Sequence, residues 1–246
     1  MNHGPLLFLG VFFTLACSWL GLVVTPQLQL GQLQQTNIIS SSQLYPLARP
    51  GLAQEGREVY RANGCVYCHT QQVRPPGFGA DFERGWGQRR SVARDYVYDQ
   101  PVMLGSLRLG PDLMNIGLRM PSEEWQLLHL YDPQILVKGS SMPPYRFLFQ
   151  KRKIGRHASP EALKLTGDFA PETGYEIVPG REAKALAAYL LSLQAEAQVF
   201  ETPLPSRKKP PTDAAATNAP PGAATNAPPG AATNAPAGAA TNPPAK

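Results

Sequence analysis

The five residues Cys65-Val66-Tyr67-Cys68-His69 constrain this chain more than any other stretch. C-x-x-C-H is the pattern that attaches a c-type haem: two thiols add to the porphyrin's vinyl groups, and the histidine becomes a ligand of the iron. Two cysteines three apart sit on one side of a turn, so the adjacent imidazole lies under the ring that they hold. Other chemistries fit poorly. A structural zinc site needs four Cys or His ligands. Beyond the motif the chain has only Cys17, His3, His129 and His157, and no second C-x-x-C. A thioredoxin-like pair needs a βαβ context, which is missing. A bridged or free thiol pair is the remaining alternative.

The flanks supply the core that a haem fold needs. Residues 52–63 read as a short helix with Leu52, Val59 and Tyr60 on an apolar face, broken by Gly64 just before the first cysteine. Residues 181–194 read as a second helix. Its Leu186, Tyr189, Leu190 and Leu193 fall at i, i+3, i+4 and i+7, one continuous stripe. Small Gly56 beside large Tyr60 and Tyr189 lets these helices cross closely near the haem edge.

Electron transfer asks for a sixth iron ligand, and methionine opposite histidine raises the reduction potential. Met103, Met114, Met120 and Met142 are the candidates. Met142 lies in Gly139-Ser140-Ser141-Met142-Pro143-Pro144-Tyr145, a loop after a helical stretch at residues 122–130. Two prolines stiffen that loop enough to hold a thioether in place, whereas the other methionines read as core filler. His129 is the rival. It sits mid-helix beside Leu127, Leu128 and Leu130, where a satisfied structural histidine is expected. In Gly110-Pro111-Asp112-Leu113, Pro111 offers a rigidly presented carbonyl to the second ring nitrogen of an axial histidine.

No Asp, Glu, Lys or Arg occurs before Arg49, and residues 5–24 form a nearly unbroken apolar run. A bilayer-crossing helix needs about 20 residues. A cleaved signal peptide would open with Lys or Arg, carry a shorter apolar core and end at a small-residue site, so an uncleaved anchor is expected. Thr14-Leu15-Ala16-Cys17 only faintly resembles a lipoprotein processing site. Residues 27–43, rich in Gln and Ser and free of charge, read as an extended spacer.

The net charge is +5, and Arg84, Arg89, Arg90, Arg94 and Arg108 contribute to it, the first four close around Trp86. They are candidates for haem propionates or for a solvated basic face. No nucleic-acid motif accompanies them. From Ala215 the chain repeats AATNAPPG-like units, a composition with little to bury that is expected to stay disordered. The expected division is a transmembrane anchor at 5–24, a linker at 25–50, a mono-haem domain at 51–200 and a repeat tail at 201–246.

Several blocks together resemble a known family. MNHGPLLFLG with the anchor, GREVYRANGCVYCHTQQVRP, YVYDQPVMLGSLRLGPDL and the SSMPPY loop are similar to subunit II of cbb3-type cytochrome c oxidases, the membrane-anchored mono-haem cytochrome c component. The resemblance covers about residues 1–195 and is weakest over 150–179 and the tail. It implies a mainly α, class I cytochrome c-like haem domain behind one transmembrane helix. One covalent haem c would be held by Cys65 and Cys68, with His69 and Met142 as axial ligands. It also implies a periplasmic haem domain on the cytoplasmic membrane. A donor cytochrome c or companion haem subunit would reduce it, and a haem–copper catalytic subunit would receive the electron. The alternatives are a free-standing membrane-tethered shuttle and the small haem subunit of a nitric oxide reductase.

Overall fold

The computed structural model describes residues 3–39 and 41–202. The repeat tail therefore lies outside the described residues.

The N-terminal helix runs continuously over Gly4–Leu30, and an 18-residue stretch of it has a mean hydropathy of 2.3 and is not buried inside the protein. At 1.5 Å per residue it is about 40 Å long, longer than the roughly 30 Å hydrocarbon layer. It is built as α1 (Gly4–Trp19), a π-helical turn (Leu20–Val24) and α2 (Thr25–Leu30). Pro26 explains the wide turn: it has no N–H to continue the ladder, and its ring crowds the carbonyl four residues back. The Thr25 backbone N–H reaches Leu20 O instead, and its hydroxyl donates to the same carbonyl at 2.9 Å. The helix thus runs six residues beyond the apolar stretch, carrying Gln27 and Gln29 with it.

The segment expected to be an extended spacer is in part ordered. Strands β1 (Thr36–Asn37) and β2 (Leu44–Tyr45) pair antiparallel. Tyr45 is buried with Val92 and Val199. Its hydroxyl donates to Asp95 Oδ1 at 2.9 Å, and Asp95 also takes two bonds from the buried Arg89 guanidinium, at 2.7 and 3.0 Å. Ile39 N–H donates to Gln198 O at 3.0 Å. A buried tyrosine and a backbone bond to a distant segment are tertiary features, so composition alone missed them.

The core centres on two helices, α3 (Gly51–Ala62) and α7 (Arg181–Ser192). A Cβ on Gly56 would lie 1.8 Å from Ala185 O, so only glycine allows this crossing. Ala183, Ala185 and Ala187 are buried in α7, and the Tyr60 and Tyr189 rings meet at 5.4 Å. The expected stripe of Leu186, Tyr189, Leu190 and Leu193 is buried. On α3 the buried face is Ala53, Gly56, Arg57 and Tyr60, whereas Leu52 is exposed. Short α5 (Ile116–Arg119) and α6 (Glu123–Tyr131) pack on α7. The Ser122 hydroxyl caps α6 by accepting Trp125 N–H at 3.2 Å.

A second antiparallel pair joins β3 (Phe149–Lys153) to β4 (Tyr175–Pro179), with Phe149 opposite Pro179 and Lys153 opposite Tyr175. Phe149 and Ile177 bring it into the core around α7. The regular structure of the described residues is therefore mainly helical, with two small two-stranded sheets.

Candidate haem site

Arg61, Ala62 and Asn63 close α3, and Gly64 adopts φ 70°, the left-handed conformation that turns the chain into the one-turn helix α4 (Cys65–Cys68). Both thiols are free, Cys65 half-buried and Cys68 exposed. Burial pushes the Cys65 thiol up to about 11, and the Tyr145 hydroxyl sits against it. His69 N–H closes the turn on Cys65 O at 3.0 Å, and His69 itself is extended, at φ −118° and ψ 144°. Leaving the helix there swings the imidazole toward a neighbouring segment.

That segment is Gly110–Leu113. His69 Nδ1 lies 2.8 Å from Pro111 O, and a carbonyl only accepts, so Nδ1 carries the proton and Nε2 keeps its lone pair. Gly110 N–H donates to Cys68 O at 3.0 Å and Leu113 N–H to Thr70 O at 2.8 Å, which lays the two stretches side by side. Fully buried Asp112 locks them: it accepts from the Thr70 hydroxyl at 2.6 Å, Gln72 N–H at 2.7 Å and Met114 N–H at 2.9 Å. A Cβ on Gly110 would fall 2.2 Å from the ring carbon His69 Cε1, so glycine is required beneath the imidazole. Burial holds the His69 pKa below its ordinary value, with the Pro111 carbonyl opposing it. A half-buried neutral imidazole with one nitrogen committed and the other without a partner among the described residues is the state that binds a metal.

Met142 occupies the loop between α6 and β3, half-buried against the core around α7. Its N–H donates to the Ser140 hydroxyl at 3.3 Å, and Tyr145 N–H returns to Leu130 O at 2.9 Å. The Tyr145–Cys65 contact brings this loop against the cysteine turn. Of the other methionines, Met103 and Met114 are buried in core clusters and Met120 is half-buried.

The five arginines near Trp86 have other partners. Arg89 pairs with Asp95, Arg94 with Glu201 and Arg108 with Asp81, while Arg90 donates to Glu201 O and Arg84 lies over the Trp86 ring at 4.9 Å. Arg119 is different. It donates to Asp112 O, but its Nε is buried without a partner, and burial holds its pKa down. It is close enough to His69 to disfavour charge on that ring. Local sequence gives no sign of this, because it depends on α5 folding over the Asp112 turn. His129 is the second surprise. Expected to be satisfied, it instead leaves Nδ1 buried and unpartnered. Unpaired polar atoms facing one site, a glycine floor and a pre-oriented imidazole next to two thiols fit a haem. The porphyrin carries two carboxylates, needs a nitrogen ligand and is flat enough to lie between packed side chains.

The chain matches the family described as cytochrome C oxidase, mono-heme subunit/FixO over residues 3–167. No curated protein matches it. The matched range takes in the anchor, the cysteine turn, Pro111, Arg119, His129 and Met142, and stops before β4 and α7. The chain therefore belongs to the FixO family, the mono-haem subunit II of cbb3-type cytochrome c oxidases.

Proposed function

We propose that this subunit is a membrane-anchored c-type cytochrome that relays electrons to the haem–copper catalytic subunit of its oxidase. The observation that carries this reading is the 2.8 Å bond from His69 Nδ1 to Pro111 O, which presents Nε2 beside the thiols of Cys65 and Cys68. The one haem c, when bound, supplies a one-electron iron couple in a class I cytochrome c-like domain. Cys65 and Cys68 hold the porphyrin through thioether bonds. His69 gives nitrogen to one face, and Met142 caps the other with sulfur, which favours the reduced state and raises the potential. Arg119, a desolvated cation only partly compensated by the charge of Asp112, would meet a propionate through its Nε–H, which has no partner among the described residues. With both axial positions taken, this chain leaves oxygen reduction to another subunit.

The anchor at 5–24 keeps the haem domain of 51–200 at the outer, periplasmic face of the cytoplasmic membrane. There the domain takes electrons from a donor cytochrome c or a companion haem subunit, and tethering replaces a bimolecular encounter with a high effective concentration. The tail at 201–246 acts as a spacer. Family membership favours this reading over a nitric oxide reductase subunit or a free shuttle. The test is purification of the native complex. A haem stain surviving denaturing electrophoresis, copurification with a polytopic haem–copper subunit and oxygen-dependent turnover are expected. A chain that stays colourless in a host able to attach haem overturns the reading. A coloured chain that purifies alone supports the shuttle instead.

A further inference from the structure

His129 is a half-buried side chain, with its Nδ1 atom fully covered, that the proposed mechanism does not use. It sits on α6, the helix that leads into the Met142 loop, and Leu130 O next to it receives the loop's Tyr145 N–H. Its ring stacks on Trp125 at 4.8 Å and 11°, so the imidazole is held in one plane rather than free to swing into water. Nδ1 is buried with no hydrogen-bond partner among the described residues, a desolvation that nothing offsets and that calls for an explanation. The ring also lies near His69, close enough that charge on His69 disfavours charge on His129. Burial pushes its pKa down to about 4, which leaves a neutral ring with a lone pair at physiological pH.

We propose that His129 is a reserve axial ligand, which takes the sixth position of the iron whenever the Met142 thioether is lost. This rests on the haem reading above and goes beyond it. The exchange is a substitution: the iron–sulfur bond breaks, His129 donates a nitrogen lone pair in its place, and no electron or proton is transferred. The donor must be neutral, and the buried environment keeps it so. Met142 lies on a loop outside any helix or strand, whereas His129 is fixed on a packed helix. The reserve ligand keeps the iron six-coordinate. A subunit with damaged methionine then becomes a poorer electron acceptor rather than a site that binds oxygen or carbon monoxide.

The test uses the full haem-loaded chain in three variants: Met142→Ala, His129→Phe and the double substitution. Wild type and His129→Phe are expected to share the histidine–methionine spectrum. Met142→Ala is expected to lose the sulfur-to-iron charge-transfer band, stay low-spin with a two-nitrogen electron paramagnetic resonance signature, drop in midpoint potential and bind no carbon monoxide. The double variant is expected to turn high-spin and bind carbon monoxide. If the phenylalanine variants lose haem, His129→Gln in the same background is read in their place. A Met142→Ala chain that is already high-spin and binds carbon monoxide overturns the proposal, as does a double variant with the spectrum of Met142→Ala. Absence of covalent haem from the wild type would instead overturn the functional reading itself.

Discussion

On the His69 side of the site, Asp112 is saturated with three donors and Gly110 leaves no room for a single added carbon, whereas the Met142 loop rests on Tyr145 N–H to Leu130 O and a 3.3 Å turn contact at Ser140. The first side fixes an imidazole's tautomer and plane before any metal arrives. The second holds a polarisable sulfur on a loop that two prolines stiffen but few bonds restrain. In the proposed site, nitrogen ligation would therefore be a property of the fold, and sulfur ligation a property of a segment. Rigidity on one side and adaptability on the other would let a bound iron keep one ligand while the other responds to partners or damage.

The sharpest way to break this contrast is to compare a polar deletion on each side. Asp112→Ala would strand the Thr70 hydroxyl and the Met114 N–H in a buried place and the Gln72 N–H in a part-buried one. At about 1–3 kcal/mol for each stranded donor, partly relieved by relaxation, the expected loss is about 4 kcal/mol. Ser140→Ala on the Met142 side removes one long contact from a half-buried residue and is expected to cost less than about 0.5 kcal/mol. Chemical denaturation of the haem-loaded proteins measures both. Equal losses would show that the two sides are equally built.

Gly110→Ala is the next largest. Its Cβ must displace the His69 ring or the Gly110 backbone, since the ring carbon would lie 2.2 Å away. Overpacking of this kind costs about 1–3 kcal/mol, and here the strain falls on the ligand. The expected result is a weakened low-spin spectrum together with about 2 kcal/mol of lost stability. A substitution that lowers stability and leaves the spectrum unchanged would show that the backbone yields and the imidazole does not.

The two sides also differ in how much of them the sequence revealed. Cys65, Cys68 and His69 form a contiguous motif, and Pro111 was singled out because proline presents a carbonyl without an N–H; the structure puts that carbonyl at hydrogen-bond distance from His69. The helices at 51–62 and 181–192 were visible as periodicity, because amphipathic packing writes itself into spacing. The membrane-type helix was visible as an apolar run, although its extension past Pro26 was not. Arg119 and the unsatisfied state of His129 were invisible. Both are defined by what fails to bond with them after α5 and α6 pack, and no local pattern records a missing partner. The β3–β4 pair was missed for a related reason. Glu176, Ile177, Val178 and Pro179 are all buried, and β3 is exposed after Phe149, so neither strand alternates in the way a half-buried strand does.

The smallest expected effect probes the support under the His69 side by acid. Asp81 is buried, and this alone would raise its pKa, but hydrogen bonds from Arg74 and Arg108 outweigh burial and hold it down at about 2. Arg108 also lies 3.8 Å from Asp112, so this cluster braces the segment that carries the Pro111 carbonyl. A carboxyl with a folded pKa below its unfolded value of about 3.9 stabilises the fold above that value. The contribution is lost as pH falls through about 2. Arg74 is 35% exposed, so water screens part of the interaction and the effect is about 1 kcal/mol. Wild type should therefore lose stability more steeply than Asp81→Asn between roughly pH 4 and pH 2, as followed by far-ultraviolet circular dichroism of the haem-loaded chain. Parallel curves would mean that the cluster does not brace the His69 side, and that Asp112 alone carries its rigidity.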